Sequence, residues 1–271
     1  MTTKTVWHLA LFFIGCAVSI LHADEPTVVL QVNESSPYWS AKKPSGGFGS
    51  EIVTAISKEM GIKTRIEFIP LKRLVSNTSN NDVGNPLFYM NNQDFAAIIP
   101  IGIMYSAFFT YNKDSKAMLS TVTHKENRIG VIKGAADALV GLQQFGKFEE
   151  SYSKESLFKK LKAGRIDIVM ELHLVGIETI HTLFPNEASH FDHHVIPDSG
   201  SPIAIMIDSD APNGVEIGKR YREGLHRILK NGVYKKIVEK YNRTGTIPAH
   251  YYNDLSKFEA LYSSDLGGNG L

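Results

Sequence analysis

The segment around Lys133 holds residue types suited to binding an anion. Lys133 directly precedes Gly134 and Ala135, and the apolar pattern that follows predicts a turn entering a helix. Backbone N–H groups in the first turn of a helix lack partners within the helix and carry partial positive charge. The Lys133 ammonium and the N–H groups of Gly134 and Ala135 are therefore predicted to form an anion site.

Polar residues also follow two predicted strands. Asn85 and Pro86 come after a third strand of the N-terminal half, and Glu171 and His173 come after a strand over 166–170. Ligands of open α/β sheets bind at the carboxyl ends of the strands, so these four residues are predicted ligand contacts. Successive side chains point to opposite faces of a strand, so Glu171 or His173 faces the ligand only if Leu172 between them does not, and the sequence leaves this open.

A histidine cluster is the densest group of potential metal ligands. It consists of His190, His193 and His194 with Asp192 between them. Metal ligands must converge on one point and be oriented by further partners, which a loop-like stretch does not indicate. We expect exposed loop histidines, no metal site and no cofactor, since no phosphate-binding or nucleophile motif occurs either.

Alternating strands and helices must position these residues. Apolar periodicity predicts helices over 50–60, 71–76, 133–142, 153–163, 218–230 and 233–241, and strands over 27–32, 65–69, 128–132, 166–170 and 201–208. Successive β–α units predict an α/β protein of two lobes, each with a mostly parallel sheet flanked by helices. The predicted crossing strands are 108–111 and 201–208. Lobe 1 then comprises 24–111 and 205–271 and lobe 2 comprises 112–204, with a ligand cleft between them.

The N-terminus has the pattern of a secretory signal. Lys4 is followed by an apolar stretch and then by Ala23, a small residue suited to cleavage. We therefore expect residues 1–23 to be removed and the protein to be periplasmic; cleavage before Cys16 with lipid anchoring is the alternative. Removal of Lys4 brings the formal net charge from +1 to zero. Balanced charge gives no reason to expect a nucleic acid partner.

Four segments carry a resemblance to a known family. They are GFGSEI at 47–52, RIGVIKG at 128–134, LKAGRIDIV at 161–169 and ILKNGVYKKIVEKY at 228–241. In order and spacing the chain resembles the bacterial extracytoplasmic solute-binding proteins of family 3, which have the type II periplasmic binding fold. The resemblance implies a non-catalytic, monomeric protein that closes like a hinge on a small-molecule solute. It would deliver that solute to an inner-membrane ABC permease.

The resemblance also implies further site residues. It places Tyr38 and Trp39 in a loop that contacts the ligand, and Arg73 in a connection that faces the cleft. Family members hold the carboxylate of an amino acid with an arginine beyond the third strand, because guanidinium and carboxylate pair in two parallel hydrogen bonds. Here no Lys, Arg or His occurs from Leu74 to Asn112.

Two more departures concern lobe 2. The family's hydroxyl in the turn after Gly134 is missing, and its ammonium-binding aspartate aligns with Leu172. The ligand is therefore expected to be something other than a standard α-amino acid. An apolar or aromatic ring with a few hydrogen-bonding groups would suit the side chains expected to line lobe 1, namely Asn85, Phe88, Tyr89, Ile99, Pro100 and Tyr105. A small neutral or weakly polar solute, and an aromatic or other small carboxylate held by lobe 2, both meet this expectation.

Two alternative functions share this fold. The first is a periplasmic sensor subunit that docks on a signalling receptor. The second is a dehydratase-like enzyme, in which Glu171 would be the general acid and Lys133 or Arg73 the cation. A binding protein without catalytic activity is the function that we expect.

Overall fold

The computed structural model describes residues 27–70, 73–74, 81–86, 94–113, 127–133, 146–242 and 247–264. Within these ranges the strands form two five-stranded sheets. They are β1 (Val28–Val32), β2 (Thr64–Phe68), β3 (Asp82–Gly84), β4 (Phe95–Met104), β5 (Ser106–Tyr111), β6 (Arg128–Ile132), β7 (Lys147–Ser151), β8 (Ile168–Leu172), β9 (Phe191–Val195) and β10 (Ser201–Asp208).

The two sheets have the same construction. The first has the order β2-β1-β3-β10-β4 and the second the order β7-β6-β8-β5-β9. In each sheet the fourth strand, β10 or β5, runs antiparallel to both of its neighbours, and the other strands are mutually parallel. The predicted fold class, two mostly parallel sheets flanked by helices, is therefore confirmed.

The helices cover the sheets. They are α1 (Phe48–Met60), α2 (Lys154–Lys162), α3 (His173–Leu183), α4 (Gly214–Lys230), α5 (Val233–Tyr241) and α6 (Tyr251–Ser264). No helix among the described residues is both long enough and apolar enough to cross a membrane. The predicted signal over 1–23 and the predicted helix after Lys133 lie outside the described residues, as does the predicted helix at 71–76 except for 73–74.

Apolar stripes on the helices build a core in each lobe. In α1, Ile52, Val53 and Ile56 are fully buried against the first sheet, as their helical spacing predicts. The helix ends at Gly61, whose φ of 66° is a left-handed conformation that glycine adopts without steric cost. In lobe 2, Phe158 of α2 packs edge-on against the Phe109 ring of β5.

The chain passes between the sheets at two places that differ from the predicted boundaries. The run 95–111 divides at Tyr105, so β5 belongs to the second sheet, whereas lobe 1 was predicted to extend to 111. The chain passes back to the first sheet through residues 196–200, and the whole of β10 belongs to that sheet. The apolar run contains no Gly or Asn turn signal at Tyr105, which is why periodicity alone did not show the division.

Two local predictions need correction. Strand β8 continues to Leu172, two residues past its predicted end, so Glu171 is a strand residue. The histidine cluster is not an exposed loop, because Phe191–Val195 forms β9 and pairs with β5. Pairing with β5 makes this polar sequence an edge strand, although its residue types do not favour one. Among the described residues, no three His, Cys, Asp or Glu side chains converge to hold a metal ion.

Candidate functional site

A polar chamber of about 490 Å³ lies between the two lobes. Its volume is within the range of pockets that bind small organic molecules. Lobe 1 contributes the loop after β1, and lobe 2 contributes the start of α2 and one side of α3. The lining residues are Glu34, Ser35, Ser36, Ser40, Lys42, Lys43, Lys154, Glu155, Glu178, Thr179, Thr182 and Leu183.

The loop after β1 is held in one shape by its own backbone. Ser35 and Trp39 exchange two backbone hydrogen bonds of 2.8 and 3.0 Å, and the N–H of Ser40 donates to the carbonyl of Gly46. The next residue, Gly47, has a φ of 97°, and a Cβ there would come within 2.6 Å of the Tyr38 carbonyl oxygen. Glycine is therefore required where this loop enters α1.

Aromatic side chains surround a second, much smaller pocket. Tyr38, Tyr105 and Tyr251 lie around His173 in a pocket with room for about one water molecule. The His173 N–H, at the start of α3, donates to the Tyr105 carbonyl over 2.8 Å, so lobe 2 is joined directly to the residue between the sheets. The Tyr105 hydroxyl donates to Asp254 Oδ2 over 2.8 Å. Tyr105 therefore links both lobes and the last helix.

Glu171 brings a carboxyl group to the same region. Burial raises its pKa, although the Leu172 N–H donates to Glu171 Oε1 over 2.8 Å and Lys154 acts in the opposite direction. Its charge in turn contributes to raising the pKa of the Tyr38 phenol, after burial and Tyr251. The structure thus gathers Tyr38, Glu171 and His173, which lie far apart in the sequence, at one end of the cleft.

His173 lies against a second imidazole. Its ring centroid is 4.9 Å from that of His193 in β9. Burial and the proximity of His193 lower the pKa of His173 to about 4, and burial also lowers the pKa of His193. Nε2 of His173 is buried and has no hydrogen-bond partner among the described residues. Both rings are therefore neutral near pH 7.

The predicted anion site is described in part. Lys133 is exposed, its Nζ donates to the Tyr152 hydroxyl over 2.6 Å, and it lies 4.6 Å from that ring's centroid. Gly134 and Ala135 lie outside the described residues. An anion site at Lys133 stays a prediction, and Tyr152 is a partner that sequence reasoning did not find.

Three further predicted contacts, Asn85, Pro86 and Arg73, do not line the small pocket around His173. Asn85 is half-buried and Pro86 buried directly after β3, at the sheet edge that was expected. Arg73 is exposed, and its N–H donates to the Pro70 carbonyl over 2.8 Å. Ligand contact by these three residues stays a prediction.

Trp39 and Ile99 have the environment of core residues. Only 4% of Trp39 is exposed, and its indole lies where a Cβ on Gly49 would be, 2.1 Å from the nearest ring atom. This packing does not favour a stacking role for Trp39, which stays a prediction. Ile99 was expected in the ligand wall, but it is fully buried in the lobe-1 core. Its inward position follows from the side-chain alternation along β4, a strand that was not predicted.

None of the predicted ligand contacts that the structure describes lines the chamber. Lys43 and Glu178 form an ion pair across it although 135 residues separate them in the chain. Lys154 and Glu155 open α2, where the Ser153 side chain accepts the Ser156 N–H over 3.2 Å. The Ser-x-Glu pattern predicts that a helix starts here. It does not predict that this start lies opposite the loop after β1.

Comparisons place this geometry among known folds. An ancestral arginine-binding protein bound to arginine has a TM-score of 0.57 at 20% identity, and the match covers 79% of this chain and 97% of that chain. A histidine kinase sensor domain with similarity to periplasmic binding proteins has a TM-score of 0.58 at 17% identity, covering 79% and 95%. The chain has the type II periplasmic binding fold.

A third structure of this fold is the substrate-binding protein of an amino acid ABC transporter. Its TM-score is 0.50 at 17% identity, and the match covers 80% of this chain and 99% of that chain. The first and third are binding proteins, and the second is a sensor domain. No protein-family model and no curated protein sequence matches the chain. At these identities the likeness shows the periplasmic binding fold and not a ligand.

Proposed function

We propose that this is an exported periplasmic protein that captures a small organic ligand between its lobes and delivers it to an ABC importer in the inner membrane. The observation that supports this most is the chamber lined from both lobes. A ligand that contacts both walls binds the closed arrangement more tightly than the open one, and this difference in affinity drives hinge closure. The bridge at Tyr105 is the proposed hinge.

We propose a small carboxylate, aromatic ones included, as the ligand rather than a standard α-amino acid. Lys42 and Lys154 line the chamber and can bind a carboxylate. The stretch from Leu74 to Asn112 has no basic side chain, so the usual arginine clamp has no equivalent there. The carboxylate would instead lie between the loop after β1 and the start of α2.

Ligand screening tests this proposal. The full-length chain is expressed, the protein is purified from the periplasm, and its N-terminal mass shows whether residues 1–23 have been removed. Thermal-shift and calorimetric titrations then compare the standard amino acids with aromatic and aliphatic carboxylates. We expect a carboxylate to bind, and Lys154→Gln to weaken it at least fivefold, because a charged hydrogen bond contributes about 1.5–3 kcal/mol.

The matched control is Lys159→Gln, which removes an exposed lysine of the same helix that does not line the chamber. It should leave the affinity unchanged. Tight binding of a plain amino acid such as glutamine, or no binding by any carboxylate, would refute the proposed ligand class.

A sensor subunit is the second candidate, because a histidine kinase sensor domain shares the fold at a TM-score of 0.58. Deletion of the gene distinguishes the two roles. Loss of uptake of the radiolabelled ligand supports transport. Normal uptake combined with loss of the transcriptional response to that ligand supports sensing.

A further inference from the structure

An ion pair joins the two lobes across the interlobe chamber. The Lys43 ammonium contacts Glu178 Oε1, which joins the loop after β1 in lobe 1 to α3 in lobe 2. Their side chains are 34% and 29% exposed, so solvent screens this pair less than a fully exposed one. The other ion pairs between described residues each join two groups of one lobe.

Lys43 is attached to a braced part of lobe 1. Its carbonyl accepts the Gly46 N–H over 2.9 Å, and its N–H donates to the Ser40 carbonyl over 3.3 Å. Two residues on, the Ser45 hydroxyl lies 3.2 Å from the Tyr241 hydroxyl of α5. The Lys43 backbone is therefore part of lobe 1 and should move with it.

Glu178 is attached to lobe 2 through α3. Ile180 of this helix is 4% exposed and packs in the lobe-2 core with Phe109 and Phe158. Val175 and Leu174 of the same helix pack against the lobe-1 core at the hinge end. Rotation about that end would separate Glu178 from Lys43, since the two charges lie on opposite sides of the chamber.

We propose that Lys43 and Glu178 form a latch that favours the closed arrangement of the lobes even without a ligand. The proposal rests on the hinge closure proposed above, and it assigns part of the closing free energy to the protein itself. A binding-competent state that is populated in advance raises the apparent affinity for every ligand by the same factor. The latch would thus set affinity without choosing the ligand.

The expected size of the effect follows from the exposure of the pair. Partly exposed ion pairs shift an equilibrium by about twofold to fivefold, so removing either charge should lower the ratio of closed to open protein by that factor. Added salt should act in the same direction on the parent protein and not on the neutralised variants.

Spin-label distance measurements on the ligand-free full-length chain test the latch. Cysteines replace the exposed Lys58 of α1 and Lys159 of α2, one in each lobe, in a Cys16→Ser background. Double electron–electron resonance then compares this parent with Lys43→Gln and with Glu178→Gln. We expect both variants to shift the distance distribution toward the open population, and the exchange Lys43→Glu with Glu178→Lys to shift it back.

Arg128→Gln is the control, because it removes an ion pair that lies within lobe 2 alone. It should leave the distances unchanged, and circular dichroism verifies that every variant is folded. Distributions in Lys43→Gln and Glu178→Gln that match the parent, or an exchanged pair that stays open, would overturn the latch. Because no ligand is present, that result is independent of the ligand screen.

Discussion

Replacing Asp82 with asparagine should stabilise the protein at neutral pH. Asp82 begins β3 and is fully buried, and neither carboxylate oxygen has a hydrogen-bond partner among the described residues. Its cross-strand neighbours are Gln31 and Met206, neither of which carries a positive charge. The sequence from Leu74 to Asn112 has no basic side chain either. Among the described residues, no hydrogen bond compensates for ionisation of Asp82, and the charge that acts on its pKa is another carboxylate.

The magnitude follows from the pKa. Burial, with the nearby Asp208 carboxylate, raises the pKa of Asp82 from 3.8 to about 7. An acid whose pKa is higher in the folded state stabilises the fold fully below pH 3.8, and this stabilisation is lost as the pH rises to about 7. Each pKa unit corresponds to about 1.4 kcal/mol, so the loss is at most about 4 kcal/mol.

Urea denaturation of both proteins between pH 4 and pH 8 measures this. We expect Asp82→Asn to match the parent near pH 4 and to exceed its free energy of unfolding by up to about 4 kcal/mol near pH 8. Asp210→Asn is the control: the Asp210 N–H donates to Asp208 Oδ1 over 2.7 Å, but Asp210 is exposed, so its effect should stay within about 0.5 kcal/mol. A difference between Asp82→Asn and the parent that does not change with pH would refute the reasoning.

Three further predictions concern the hinge and the lobe-1 core. Tyr105→Phe removes the hydrogen bond to Asp254 and should lower the free energy of unfolding by about 1–2 kcal/mol in urea titration; an unchanged value would contradict it. In the parent, the folded state resists protonation of His173, so this residue lowers the free energy of unfolding by up to about 3 kcal/mol as the pH falls from 6.5 to about 4. His173→Gln should abolish this loss, and equal acid sensitivity of both proteins argues against it. Gly49→Ala forces a methyl group into the Trp39 ring and should cost about 1–3 kcal/mol, measured as a lowered midpoint of thermal unfolding; a stable variant would show that the ring can move.

The secondary structure could be predicted wherever one periodicity ran without interruption. Strands β6 and β10 and helix α5 agree with their predicted bounds, because each is a continuous apolar or amphipathic run ended by polar or glycine residues. Strand β9 and helix α3 were missed. Strand β9 is polar in sequence and forms because its backbone pairs with β5 at the edge of the sheet. Helix α3 begins directly after β8 with no polar cap, since its N-cap is Leu172.

The chamber itself could not be predicted from the sequence. Glu171 and His173 were predicted because each lies next to the carboxyl end of a strand, and Tyr38 was predicted from the family resemblance. None of the three lines the chamber, and ligand contact by them stays a prediction. Lys43 and Glu178 were not found, because no local pattern marks a loop lysine and a helix glutamate as partners. Their pairing depends on how the second lobe is placed over the first.

The alternation of strands and helices and the lack of basic residues from Leu74 to Asn112 follow from the amino-acid sequence alone. Both are local properties: hydrophobic periodicity sets an element, and composition sets the charge near it. The burial of Asp82 with no hydrogen-bond partner among the described residues, and the contact of Lys43 with Glu178 across the chamber, depend on the packed structure. Burial and long-range pairing depend on contacts between segments distant in the chain, and those contacts exist only once both sheets have formed.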